Sequence, residues 1–144
     1  MVRSSGVIRS FLLILVMFAC NDDRPESQIP FAIVNRTINL TNQQYLSLQL
    51  VGGSTVINDE GVRGIIIYRQ DQNTYKAFER TCSYEPLNSC ARVEVDSSGF
   101  FMIDPCCTSS FDFNGFPTGG PATLPLREYF TIIEGNFLTI SSSP

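Results

Sequence analysis

Five cysteines and no histidine occur in this 144-residue chain, and four of the cysteines, Cys82, Cys90, Cys106 and Cys107, stand close together beside Tyr84 and Asp104. Thiolate and carboxylate groups can hold a metal, and an even set of cysteines in an exported domain signals disulfides. Four cysteines allow three pairings. Joining Cys106 to Cys107 is disfavoured because adjacent residues close a strained ring. That leaves Cys82 with Cys107 and Cys90 with Cys106, or the crossed arrangement. Other chemistry lacks its parts. Ser109 and Ser110 have no imidazole base. Asp104 and Asp112 need not be an acid and base pair, and Asp104, preceding Pro105, suits a turn cap. Thiol exchange at Cys106-Cys107 lacks both the Cys-x-x-Cys spacing and a nearby base. Gly119-Gly120-Pro121 lacks an amide where a phosphate-cradling loop needs one. No catalytic residue is expected, and the chain is not expected to be an enzyme.

The N-terminus sets where these thiols work. Arg3 and Arg9, an apolar run over 11–18 and then Ala19-Cys20 follow the order of a secretory signal, and the run is too short to span a bilayer. Its end resembles a bacterial lipobox, with Met17 and Phe18 departing from the usual residues there. On that resemblance residues 1–19 are a lipoprotein signal peptide, Cys20 is acylated, and 20–30 form a polar, lipid-anchored linker. More than one acyl chain is needed for stable anchoring. The expected location is the bacterial cell envelope, on the periplasmic face or the outer-membrane surface. The expected partners are the membrane, through the lipid, and a possible envelope protein. Without residues 1–19, eight basic residues face 14 acidic ones, a net charge of −6. Such a chain is not a nucleic-acid binder, because a phosphate backbone requires clustered Lys and Arg.

Residues 31–144 are long enough for one domain. Short β-favouring segments at 44–51, 62–68, 74–79, 92–96, 100–103, 110–113, 129–134 and 137–141 alternate with glycine-rich turns. The first carries Leu46, Leu48 and Leu50 on one face, and Ile65-Ile66-Ile67-Tyr68 is apolar on both, as for a strand covered on each side. This spacing predicts an all-β antiparallel sandwich or barrel. Pro125-Leu-Arg-Glu is the one place for a single helical turn. Asn35-Arg-Thr37 and Asn39-Leu-Thr41 match the glycosylation sequon but carry no weight in a bacterial chain.

Cys82-Ser-Tyr84, then Asp104-Pro-Cys-Cys-Thr-Ser-Ser-Phe-Asp112, then Gly120-Pro-Ala122 together resemble a Rieske iron-sulfur domain. In that family the first loop reads Cys-x-His, the second Cys-Pro-x-His-Gly-Ser-x-Phe, and a Gly-Pro-Ala turn follows. The resemblance, over about 61–140, implies a Rieske-like β-sandwich or barrel with a small, loop-rich subdomain. It places Cys82, Tyr84, Asp104 and Cys107 at the ligand positions, and Cys106 at the family's extra loop cysteine, which pairs with Cys90. Cys82 would then reach Cys107. A second register puts Cys106 on the ligand cysteine. Neither restores two nitrogen ligands, so no cofactor and no metal are expected. The resemblance implies a disulfide-braced binding or structural module on a lipoprotein, with Tyr75, Tyr84, Phe111, Phe113 and Phe116 as its aromatic end or as plain core. The alternative is electron transfer through an atypically ligated 2Fe-2S cluster or a single metal at Cys82, Tyr84, Asp104, Cys106 and Cys107.

Overall fold

In a computed structural model of the chain, which describes residues 29–144, ten β-strands form two antiparallel sheets. The larger is curled and six-stranded, in the order β1 (Asn35–Asn39), β10 (Phe137–Ser141), β9 (Glu128–Glu134), β4 (Tyr75–Glu79), β3 (Ile65–Arg69), β2 (Ser54–Ile57). The smaller runs β5 (Glu94–Val95), β6 (Met102–Ile103), β7 (Ser110–Phe111), β8 (Pro117–Gly119). The smaller sheet is inserted in the chain between β4 and β9, which pair directly with each other through Ala77 with Tyr129 and Phe78 with Glu128. This is the expected all-β fold with a small loop-rich subdomain. Among the described residues no helix is long and apolar enough to cross a membrane. The expected signal peptide, Cys20 and most of the expected linker lie outside the described residues.

The doubly apolar strand sorts the core into two. Ile65, Ile66 and Ile67 are all fully buried. Ile65 and Ile67 join Tyr75, Ala77, Leu138 and Ile140 on one face of the large sheet. Ile66 points the other way, with Phe78, Met102, Phe111 and Leu126, as the two-residue period of a strand requires. Burying each such side chain contributes roughly 2 kcal/mol, so the run welds the subdomain onto the sheet.

Several expectations are corrected. Residues 44–51 are not a strand, because Gln43–Gln49 form a 3-10 helix. Its three-residue period buries Tyr45 and Leu48 and leaves Leu46 and Leu50 outside. Residues 125–127 make no helical turn and lead into β9, which begins at Glu128. Ile29, the first described residue, is buried and accepts a hydrogen bond on its carbonyl from Arg127 at 2.6 Å. Strands β1, β2 and β8 were not foreseen. In β1 the outward side chains are polar, and Thr37 meets Thr139 of β10 across the pair at 2.9 Å.

A buried carboxylate closes the junction between the two units. Glu79, the last residue of β4, is fully buried. Its Oε2 accepts from the Val62 amide and the Tyr129 hydroxyl, both at 2.7 Å. Oε1 accepts from the Arg63 amide at 2.9 Å and from the amide and hydroxyl of Thr81 at 3.1 and 3.0 Å. Each oxygen meets at least one backbone N–H, so an amide NH₂ in place of either would face a donor that cannot turn away. Glu79→Gln is therefore expected to lower stability in urea by roughly 2–3 kcal/mol, the cost of unpaired buried donors. Burial and the Glu79 carboxylate hold the Tyr129 phenol well above its ordinary value of 10.0. A raised folded-state pKa gives stability that is intact below the unfolded pKa and lost as pH rises above it. Alkaline urea titrations should show stability falling from about pH 10 upward, and Tyr129→Phe should flatten that fall.

Candidate functional site

Three loops of the subdomain meet at one end. The first spans 82–91 and is closed at its base by the Thr81 to Arg92 bridge and by the Cys82 amide donating to the Ala91 carbonyl. The second, 104–109, folds back on itself between β6 and β7. There the Asp104 amide donates to the Ser109 carbonyl at 2.9 Å, and the Thr108 amide donates to the Asp104 carbonyl at 2.8 Å. Asp104 Oδ1 accepts from the Cys106 amide at 2.8 Å, the turn cap its place before Pro105 suggested. The third loop is tied to the other two. Ser109 Oγ accepts from the Ala122 amide at 3.0 Å, and Ser83 Oγ donates to the Leu124 carbonyl at 2.6 Å.

Backbone conformation explains two motif positions. Gly120 has φ of 79°, and a Cβ there would stand 2.5 Å from Ser109 Cα and 2.6 Å from the Thr108 carbonyl oxygen. Only glycine fits. Thr108 also has positive φ, 62°, a conformation rare for a β-branched residue. It occupies the position where the resembling motif has glycine.

The structure bonds Cys90 to Cys106, with Cα atoms 5.6 Å apart, and so links the first loop to the second. Cys82 and Cys107, expected as a second bridge, stand as separate thiols whose sulfurs are 3.8 Å apart. The Cys107 thiol is engaged elsewhere, within donating reach of Ser109 Oγ at 3.0 Å and Asp104 Oδ2 at 3.3 Å. Cys82 and Asp104 are fully buried and Cys107 half-buried. Burial pushes the Cys82 thiol far above its usual range, and Asp104 and Cys107 add to the shift against the Tyr84 amide. Cys82 therefore stays protonated at neutral pH and is a poor nucleophile.

The predicted ligand positions converge in part. Ligand atoms of Cys82, Asp104 and Cys107 all lie within 4.8 Å of one another. Cys106 is consumed by its bridge, which closes the second register. Tyr84 is half-buried against the small core and lines, with Asp104, Cys107 and Pro121, a cavity of about 260 Å³. The aromatic residues do not form one patch. Tyr75 lies in the core on the opposite face of the large sheet, Phe111 is fully buried, Phe113 stacks on Tyr68 at 3.9 Å, and Phe116 is exposed. Sequence reasoning missed Arg63, whose guanidinium donates to the Ser89 and Asn88 carbonyls at 2.5 and 2.7 Å and steadies the approach to Cys90. A lone arginine after Gly61-Val62 gives no signal of that reach.

A TM-score of 0.51 relates the chain to the plasma-membrane Rieske protein PetC3 of the cyanobacterium Synechocystis PCC 6803, at 21% identity over 61% of this chain and 85% of that one. The ferredoxin of carbazole 1,9a-dioxygenase from Nocardioides aromaticivorans IC177 matches at TM-score 0.46 and 19% identity, over 78% and 97% of the two chains. No protein-family model matches the sequence, and neither does any curated protein. The fold is Rieske-like. A Rieske cluster takes two thiolates on one iron and two imidazoles on the other. Two sulfurs and one carboxylate, in a chain without histidine, do not supply that set.

The ties between loops should be measurable. Removing the bridge in a Cys90→Ala, Cys106→Ala variant is expected to cost roughly 3 kcal/mol in urea unfolding, the loop-entropy value for a closure of this length. Gly120→Ala should lose roughly 2 kcal/mol or more through its positive φ and the backbone overlap.

Proposed function

We propose that the chain is an exported, lipid-tethered Rieske-fold protein whose domain serves as a binding or structural module of the bacterial envelope, and is neither an electron carrier nor an enzyme. The donor set supports this most directly. Where the fold would place two cysteines and two histidines, this chain has Cys82, Tyr84, Asp104 and Cys107. The carboxylate among them is already committed, on one oxygen, to the Cys106 amide. The loops that would otherwise lean on a cluster are joined by the Cys90 to Cys106 bridge and by the Ser83 and Ser109 hydroxyls. A framework so braced holds its shape without iron.

The tether in this reading is Cys20, with the polar residues that follow it as a spacer. A protein partner would meet the exposed loop end, where Leu87, between Cys82 and Cys90, is 84% accessible.

Two measurements on one preparation test the proposal. The full chain expressed in a bacterium and purified without oxygen should be colourless and iron-free, with a mature N-terminal fragment at Cys20 that carries acyl mass. Cys20→Ala should release it from the membrane fraction. Visible absorption with two irons per chain would sink the non-redox role, and an unmodified Cys20 in the mature protein would sink the tether.

A further inference from the structure

We infer that Cys82, Asp104 and Cys107 form a binding site for a single soft divalent cation, zinc being the type. Two of the three ligand separations match tetrahedral coordination, and the third, Cys82 to Asp104, is no more than 4.8 Å. Two thiolates each about 2.3 Å from a tetrahedral zinc stand about 3.8 Å apart, and a thiolate and a carboxylate oxygen about 3.5 Å apart. The Cys82 and Cys107 sulfurs are 3.8 Å apart, and Cys107 Sγ lies 3.3 Å from Asp104 Oδ2. An ion therefore enters with small adjustments of the side chains.

The surroundings already orient these groups. The Cys106 amide holds Asp104 Oδ1 at 2.8 Å, which fixes the carboxylate so that its other oxygen faces the thiols. Ser109 Oγ accepts the Ala122 amide and lies 3.0 Å from Cys107 Sγ. Its own proton is free to turn to that sulfur once the sulfur becomes a thiolate. Such outer partners typically change metal affinity ten- to a hundredfold. The Cys90 to Cys106 bridge joins the same two loops that supply the ligands, so the site is assembled before the ion arrives.

Ligand chemistry selects the ion. Two sulfurs favour zinc and its soft relatives over calcium or magnesium, which take oxygen. Three protein ligands leave one tetrahedral position for water or an outside ligand. The cavity lined by Tyr84, Asp104 and Cys107 borders the site and has room for one. On binding, both thiol protons leave to solvent and two sulfur-metal bonds form. The site does not require the lipid tether, but it rests on the non-redox role proposed above, since a cluster would take the same two sulfurs.

Cobalt(II) titration of the full chain, purified in mild detergent under argon with its Cys90 to Cys106 bridge intact, tests this. Saturation at one cobalt per chain is expected, with thiolate-to-cobalt charge-transfer absorption and tetrahedral visible bands that zinc abolishes. Cys82→Ser and Cys107→Ser should each remove the charge-transfer band, and Asp104→Asn should weaken binding about tenfold or more. The Cys90→Ala, Cys106→Ala variant should still reach the thiolate band at saturation but bind cobalt more weakly, because the bridge that joins the two ligand loops is gone. Since a cysteine variant could misfold, cadmium NMR on the unaltered chain provides an independent count, with a shift for two thiolates expected. Absence of a cobalt-thiolate band while a thiol assay finds both sulfurs free would overturn the site. So would a band that survives Cys107→Ser, or a cadmium shift showing no thiolate. Iron-sulfur absorption in the untreated protein would overturn the proposed function and this site together, whereas a missing cobalt band in a colourless protein overturns the site alone.

Discussion

The buried carboxylate of Glu79 is the constraint on which the arrangement of the two units depends. It sits where the chain leaves β4 for the first loop, and its two oxygens take donors from the 61–63 turn, from Thr81 and from Tyr129 on β9. An ionised group removed from water is stabilised only by a full set of hydrogen-bond donors. Those donors come from segments far apart in sequence, so satisfying one charge fixes several chain crossings together. The position of Cys82, three residues beyond, follows from that fixed exit.

From that exit the subdomain is held by ties of three different kinds. Apolar packing of Ile66, Phe78, Met102 and Phe111 sets its seat on the large sheet. A covalent bridge couples the first loop to the second. Hydroxyl to backbone bonds couple the third loop to both, through Ser83 and Ser109. Each tie is modest, and together they leave the thiols of Cys82 and Cys107 and the carboxylate of Asp104 facing one another with little freedom to separate.

The sequence made the site legible before the fold. Cys82, Asp104 and Cys107 were singled out by a motif, and the pairing of Cys90 with Cys106 came from the same resemblance, because loop motifs preserve spacing even where residue types have changed. What escaped were features without local signal. The 43–49 helix carries alternating leucines that imitate a strand, and only the tertiary need to bury Tyr45 with Leu48 decides for a three-residue period. Strand β1 is polar at Asn35, Arg36, Thr37 and Asn39, and is a strand because β10 lies beside it. The environment of Glu79 was equally invisible, since a glutamate ending a strand gives no hint of five donors converging from elsewhere. The separation of Cys82 from Cys107, 3.8 Å between sulfurs, is a matter of ångströms that spacing cannot encode.

The contact of Ile29 with Arg127 sets how the domain would carry a mechanical load. Traction arriving at Ile29 loads its carbonyl's bond from the Arg127 guanidinium. Next in line are Val34, whose amide and carbonyl both bond to Ser142, and the β1 to β10 ladder. A tug strong enough to strip the edge strand would thus reach the hairpin of β9 and β10 through the ladder, and through Arg127, whose carbonyl accepts from the Glu79 amide at 2.9 Å, it would also bear on the exit to the first loop.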